Sequence, residues 1–248
     1  MSENWDFYLL RVDDKPASIF VDLGVGREAP IKGLPFMAYL RVHMRAPRSD
    51  GLSSQEEFEA LTSIEDAIEE SLTSDGETIY VGRNTSDGCR DFYFYTAHPK
   101  DWHHRVNGLM QRFAPYEFDC GCRDDSEWKT YFEFLFPSDA DRQRIQNRRV
   151  LHALEQRGDA LEQEREIDHW AYFPTASARA AFVEAALEHG FRLRSMSEPA
   201  EAGAQYGAIV FRVDKPAPES IDDVTLPLFK LAAALGGNYD GWETEVVT

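Results

Sequence analysis

The chain has 248 residues, of which 43% are hydrophobic and 12% aromatic, so it can form one large or two small folded domains. It carries 26 Lys and Arg against 44 Asp and Glu, a net charge of −18. Such an acidic chain repels phosphate backbones, which argues against direct nucleic-acid binding, and no apolar run is long enough to predict a membrane-spanning helix.

The N-terminal half combines strand and helix patterns. Residues 36–44 alternate between apolar and polar, which predicts a half-buried strand. Ser53 and Glu56 have the spacing of a capping box, so a helix is expected to begin there and to run to about Leu72. The other predicted elements are strands 5–12, 17–23, 78–83, 90–96 and 114–122, and helices 99–113 and 126–136.

The pattern changes after Pro137. A long, mostly polar helix is predicted over 139–159, and the following elements are strand 165–173, helix 176–189, strands 191–197 and 205–213, helix 220–235 and strand 239–247. This βαββαβ order is the split ferredoxin-like motif. The sequence therefore predicts an α+β protein with two helix-on-antiparallel-sheet domains, at 1–137 and 161–248, joined by a connecting helix at 138–160.

Two sequence blocks bound the last domain. The first is Asp-His-Trp-Ala-Tyr-Phe-Pro at 168–174, and the second is Gly-Gly-Asn-Tyr-Asp-Gly-Trp-Glu-Thr at 236–244. They resemble the ends of the RraB family, the regulators of ribonuclease E activity, as do Gly190-Phe191 and Tyr206 between them. The resemblance implies a regulator that binds the non-catalytic region of ribonuclease E rather than a catalyst.

The N-terminal half resembles an uncharacterised domain family that also occurs fused ahead of RraB-like domains. The resemblance rests on the blocks at 64–66, 81–85, 90–95 and 128–137. That family implies no activity.

The candidate partner-binding residues lie in the two C-terminal blocks. Side chains alternate along strand 165–173, so Trp170 and Tyr172 should lie on the sheet face away from the helices. Exposed paired aromatics are typical of a contact surface, although another domain or a second subunit could cover them. Trp242 could equally fill the core. The full candidate set is Asp168, Trp170, Tyr172, Tyr239, Asp240 and Trp242.

A second candidate site lies in the N-terminal domain. Arg83, Arg90 and Asp91 flank a predicted hairpin loop and could bind an anion or a small ligand, or could form structural ion pairs. Cys120-Gly121-Cys122 has poor spacing for zinc, so no metal and no cofactor are expected. His169 is expected to be a hydrogen-bonded structural histidine, because no nucleophile is visible near it.

The sequence therefore favours a non-catalytic regulatory or adaptor protein with a protein partner, which the resemblance identifies as ribonuclease E. The three cysteines and the absence of a leader pattern predict a cytoplasmic protein. Two alternatives stay open. One is an enzyme or ligand-binding protein with its site in the N-terminal domain. The other is a structural protein whose aromatic sheet face is buried internally. The oligomeric state is not predicted.

Overall fold

A computed structural model describes residues 2, 4–201, 204–218 and 220–248. The chain divides into two compact units, 1–137 and 138–248. Both units pack helices on an antiparallel sheet, so the predicted α+β class is confirmed. None of the helices in the described ranges is long and apolar enough to cross a membrane.

The N-terminal unit is built on a six-stranded antiparallel sheet in the order β1-β2-β4-β5-β3-β6. Its strands are β1 (Trp5–Val12), β2 (Lys15–Asp22), β3 (Phe36–His43), β4 (Thr78–Ser86), β5 (Cys89–Thr96) and β6 (Phe118–Asp124), and its α-helices are α1 (Phe58–Leu72) and α2 (Trp102–Met110).

The two faces of this sheet are covered differently. Helices α1 and α2 cover one face, and the core there includes Leu40, Ile64, Ile68, Phe92, Phe94, Trp102 and Val106. Part of the other face, here called the outer face, carries a π-helix at Thr130–Leu135. The Trp128 indole stacks on Tyr95 with ring centroids 3.8 Å apart, and the Tyr131 hydroxyl donates to the Asp22 carbonyl at 2.7 Å. The aromatic segment predicted as a short helix is therefore a structural cover for the sheet.

Two local expectations in this unit were wrong. No capping box forms at Ser53, because its hydroxyl accepts a hydrogen bond from Arg90 and α1 begins only at Phe58. Strand β4 also continues through the predicted loop to Ser86, whose hydroxyl donates to the Pro16 carbonyl at 2.8 Å. The hairpin turn is therefore only Asp87-Gly88, and both residues have the positive φ that such a turn requires.

The C-terminal unit has the predicted βαββαβ order after its first helix. Its strands pair antiparallel in the order β10-β7-β9-β8, the arrangement of a ferredoxin-like sheet. The elements are α3 (Asp139–Glu155), β7 (Arg165–Phe173), α4 (Ala176–Glu188), β8 (Arg192–Ser197), β9 (Tyr206–Asp214), α5 (Ile221–Ala234) and β10 (Asn238–Thr244).

Helices α4 and α5 cover one face of this sheet, where Phe173 and Phe182 lie in the core with ring centroids 5.0 Å apart. The face away from them is here called the open face. Helix α3 begins with a capping box in which Ser138 and Asp141 satisfy each other's backbone amides. Helix α3 occupies the position of the predicted connecting helix and packs on α5 and β10 within the C-terminal unit.

Candidate protein-binding surface

Strand β7 places two large aromatic side chains on the open face. Ala171 and Phe173 are fully buried under the helices, whereas Trp170 and Tyr172 alternate with them and are only half-buried. Trp170 lies opposite Gly241 of β10, and Tyr172 lies opposite Gly207 of β9. Because glycine has no side chain, the space beside Gly241 is open, whereas the Ser197 hydroxyl reaches the space beside Gly207.

These aromatics line a cavity of about 400 Å³ between helix α3 and the strands β7 and β10. Val150 contributes an apolar wall from α3, and acidic groups from β10 form part of the rim. The lining residues are Gln143, Gln146, Val150, Trp170, Tyr172, Asp240, Gly241, Trp242 and Glu243. A cavity with aromatic walls and acidic groups suits an apolar or cationic side chain from a partner.

A β-bulge in β10 separates the candidate residues of the second block. The register shifts between Tyr239 and Gly241, so Tyr239 pairs with Ala171 and Trp242 pairs with His169. Both aromatics therefore lie on the helix side of the sheet, at 5% and 6% exposure. Their burial favours the core role left open for Trp242, whereas Asp240 within the bulge is exposed.

The predicted residue Asp168 lies in an ion-pair cluster on the open face. The Arg194 guanidinium donates to Asp168 at 2.5 Å and to Glu166 at 2.6 Å. The same guanidinium lies 4.0 Å above the centre of the Phe211 ring. Asp168 therefore belongs to a group of ion-paired side chains beside the aromatic cavity.

The N-terminal candidates do not form one site. Arg83 and Arg90 point to the helix side and share the carboxylate of Glu65, with Arg90 at 3.8 Å. Asp91 points to the outer face, where it accepts two hydrogen bonds from Arg41 at 2.6 and 2.8 Å. Adjacent strand residues face opposite ways, so Asp91 could not join Arg90 in one site.

His169 is buried beneath the helices, and its Nδ1 lies 2.8 Å from the Tyr239 hydroxyl. Burial, assisted by the positive charge of Arg212, lowers the pKa of His169 to about 3. The imidazole is therefore neutral near neutral pH, as expected for a structural histidine.

This buried histidine predicts acid sensitivity. Below pH 6.5 the unfolded chain protonates His169 and the folded chain does not, so stability present above that pH is lost on acidification. Between pH 6.5 and about 5, His169 should account for about 1.5 kcal/mol of the fall in free energy of unfolding. Urea denaturation of wild type and His169→Gln at both pH values measures this contribution of His169 to the free energy of unfolding. The exposed His189→Gln is the control, and an equal fall in all three proteins would contradict the prediction.

The described residues hold no group of three or more His, Cys, Asp or Glu side chains placed to bind a metal ion. No curated protein matches the chain. Among solved structures, the crystal structure of an unknown protein from Galdieria sulphuraria is similar at 12% identity, over 86% of this chain and 98% of that one. The TM-score between the two structures is 0.24.

Both halves of the chain match family models. Residues 144–244 match the family described as Regulator of ribonuclease activity B, which confirms the resemblance read from the two C-terminal blocks. Residues 3–136, more than half of the chain, match the Family of unknown function (DUF695). The chain therefore belongs to the DUF695 family, and its C-terminal region matches the model of the Regulator of ribonuclease activity B family.

Proposed function

We propose that this chain is a non-catalytic regulator that binds a basic segment of a protein partner through the open face of its C-terminal unit. The observation that carries the proposal is the aromatic cavity: Trp170 and Tyr172 lie half-exposed beside an opening of about 400 Å³. Aromatic anchors in such pockets supply much of the affinity at protein interfaces.

The charges around the cavity support a basic partner. Asp240 and Glu243 line the cavity itself. A neighbouring opening of about 650 Å³ has Glu166, Asp168, Glu243 and Glu245 among its lining residues, against Arg165 and Arg194. Two acidic groups are thus left in excess there, and the whole chain carries −18. Complementary charge speeds association and selects basic segments over acidic ones.

The family match supports ribonuclease E as the partner. Under this proposal the basic, non-catalytic region of that enzyme lies across the open face, and an arginine side chain enters the cavity between Trp170 and Tyr172. Stacking of a guanidinium on an aromatic ring is favourable by about 0.5–2 kcal/mol. The regulator would then act in the cytoplasm and change RNA decay without contacting RNA.

Binding of the purified non-catalytic region of ribonuclease E tests the proposal. In fluorescence anisotropy titrations we expect wild type to bind, and Trp170→Ala and Tyr172→Ala each to raise Kd about 30-fold, equivalent to about 2 kcal/mol. Higher salt should also raise Kd, because the complementary charges are solvent-exposed.

Leu187→Ala is the matched control, because Leu187 is a 49% exposed apolar residue on α4 of the same unit. It should bind like wild type. An arginine-rich peptide of unrelated sequence separates general from specific recognition. If it binds as tightly as the ribonuclease segment, the proposed partner is wrong but the basic-segment site stands. Equal affinity of wild type, Trp170→Ala and Tyr172→Ala would overturn the site itself.

A further inference from the structure

Three chemically reactive side chains form a chain of contacts on the outer face of the N-terminal sheet. Cys89 at the start of β5 lies directly opposite His43 at the end of β3. The Cys89 sulfur lies 3.5 Å from His43 Nδ1, and His43 Nε2 lies 2.8 Å from an oxygen of Asp119 on β6. In space, the nucleophile therefore contacts a base, and the base contacts an acidic group that orients it.

The contacts match what thiol activation requires. Burial raises the pKa of the Cys89 thiol, so the resting sulfur keeps its proton at neutral pH. A proton on Nε2 that is shared with Asp119 leaves Nδ1 of His43 free to accept the thiol proton. The Asp119 carboxylate also stabilises the imidazolium that this transfer creates.

Further charges around the sulfur act in both directions. The Arg41 guanidinium favours the thiolate, whereas Asp87, Asp91 and Asp119 oppose it. Arg41 is held in place by its two hydrogen bonds to Asp91. The thiolate is thus not the stable resting form, and its formation depends on transfer of the proton to His43.

We propose that Cys89 is a nucleophilic thiol, activated by His43 and Asp119, that exchanges with small-molecule disulfides. The site is accessible to a small reagent, since Cys89 is partly exposed and the side chains of His43 and Asp119 are 44% and 64% exposed. A disulfide is the chemical class that fits, because its sulfur atoms are soft electrophiles for a thiolate.

The position of the other two cysteines determines the product. Cys120 and Cys122 pack against the helix-side core and therefore lie on the opposite face of the sheet from Cys89. The chain contains three cysteines in all, so no thiol of the same chain lies on the outer face to displace a bound group. Exchange at Cys89 therefore stops at a mixed disulfide.

The reaction needs no external oxidant or reductant, because one thiol and one disulfide react to give another thiol and another disulfide. His43 Nδ1 takes the Cys89 proton while the sulfur attacks one sulfur atom of the small disulfide. The disulfide bond breaks, and the leaving thiolate takes the proton from His43. The products are a mixed disulfide on Cys89 and one free small thiol.

Reaction of the full-length protein with glutathione disulfide tests the proposal, with peptide mass spectrometry to follow each cysteine separately. Cys122 is the internal control, since it is partly exposed like Cys89 and lies on the helix side of the sheet. Cys120 does not serve, because its sulfur lies 3.2 Å from His103 Nδ1. At neutral pH, Cys89 should react about tenfold faster than Cys122, and His43→Gln should slow Cys89 about tenfold. Asp119→Asn should slow it less, and His103→Gln should not change it.

The pH profile separates base catalysis from simple exposure. In His43→Gln the Cys89 rate should rise about tenfold per pH unit below the thiol pKa, since only the thiolate attacks, whereas the wild-type profile should be shallower. Circular dichroism checks that each variant is folded. Because Asp119 is exposed, Asp119→Asn should fold, and it tests the proposal even if His43→Gln unfolds. Equal rates at Cys89 and Cys122, or a Cys89 rate unaffected by both substitutions, would overturn the proposal.

Discussion

Replacing Glu65 by alanine should lower the free energy of unfolding of the N-terminal unit by about 2–3 kcal/mol. This is less than the about 3–5 kcal/mol for breaking a fully buried ion pair from one side, because the Glu65 and Arg83 side chains are 14% and 24% exposed. The Glu65 carboxylate contacts Arg83, lies 3.8 Å from Arg90 and accepts the Tyr80 hydroxyl at 2.9 Å. Arg90 is only 7% exposed, and burial together with Arg83 lowers its pKa to about 10. Without Glu65, Arg83 and Arg90 would lose the carboxylate that they share.

Urea denaturation followed by circular dichroism measures this loss. Glu70→Ala is the matched control, because Glu70 is an exposed glutamate on the same helix and should change stability by about 0.5 kcal/mol or less. Glu65→Gln should fall between the two, since the amide keeps an acceptor for Tyr80 but loses the charge. If Glu65→Ala were no more destabilised than Glu70→Ala, the ion pairs would have no structural role.

The sequence predicted the C-terminal unit better than the N-terminal one, and the reason is local. The alternation of β7 and the glycines after α4 and α5 are signals that involve only neighbouring residues. They were sufficient for the βαββαβ order and for the half-exposed placement of Trp170 and Tyr172. The bulge at Gly241 was not predictable in this way, because it is defined by pairing with β7. It places both Tyr239 and Trp242 on the helix side.

In the N-terminal unit the decisive contacts join residues far apart in the chain. The Ser53 hydroxyl interacts with Arg90, so the local capping box fails. The Glu65 contacts also join separate elements, since its partners Arg83 and Arg90 lie on two strands where the sequence predicted either a ligand site or structural ion pairs. His43, Cys89 and Asp119 lie on three strands, and no spacing in the sequence links them. Strand alternation alone, however, could have separated Asp91 from Arg90.

Trp242→Ala should cost the C-terminal unit about 3–5 kcal/mol, the range for removing a large buried aromatic side chain. Trp242 is 6% exposed, and its indole packs in a cluster with Leu151, Leu154, Leu161, Ile167 and Ile221. Its Nε1 donates to Asn147 at 3.0 Å, and Asn147 in turn donates to Asp222 and Thr225 of α5. Truncation would therefore leave a cavity and remove one bond from the network that holds α3 to α5.

Comparison with Trp170→Ala makes this a test of the assignment of the two tryptophans. If Trp170 serves binding and Trp242 serves the core, Trp170→Ala should lose the partner and keep most of its stability, whereas Trp242→Ala should lose stability first. Trp242→Phe keeps a smaller aromatic ring but loses the hydrogen bond, so it should cost less than Trp242→Ala, about 1–2 kcal/mol. Thermal unfolding and partner titration of the three variants measure both properties. If Trp242→Ala were as stable as wild type and no longer bound the partner, Trp242 would be a partner-binding residue and not a core residue.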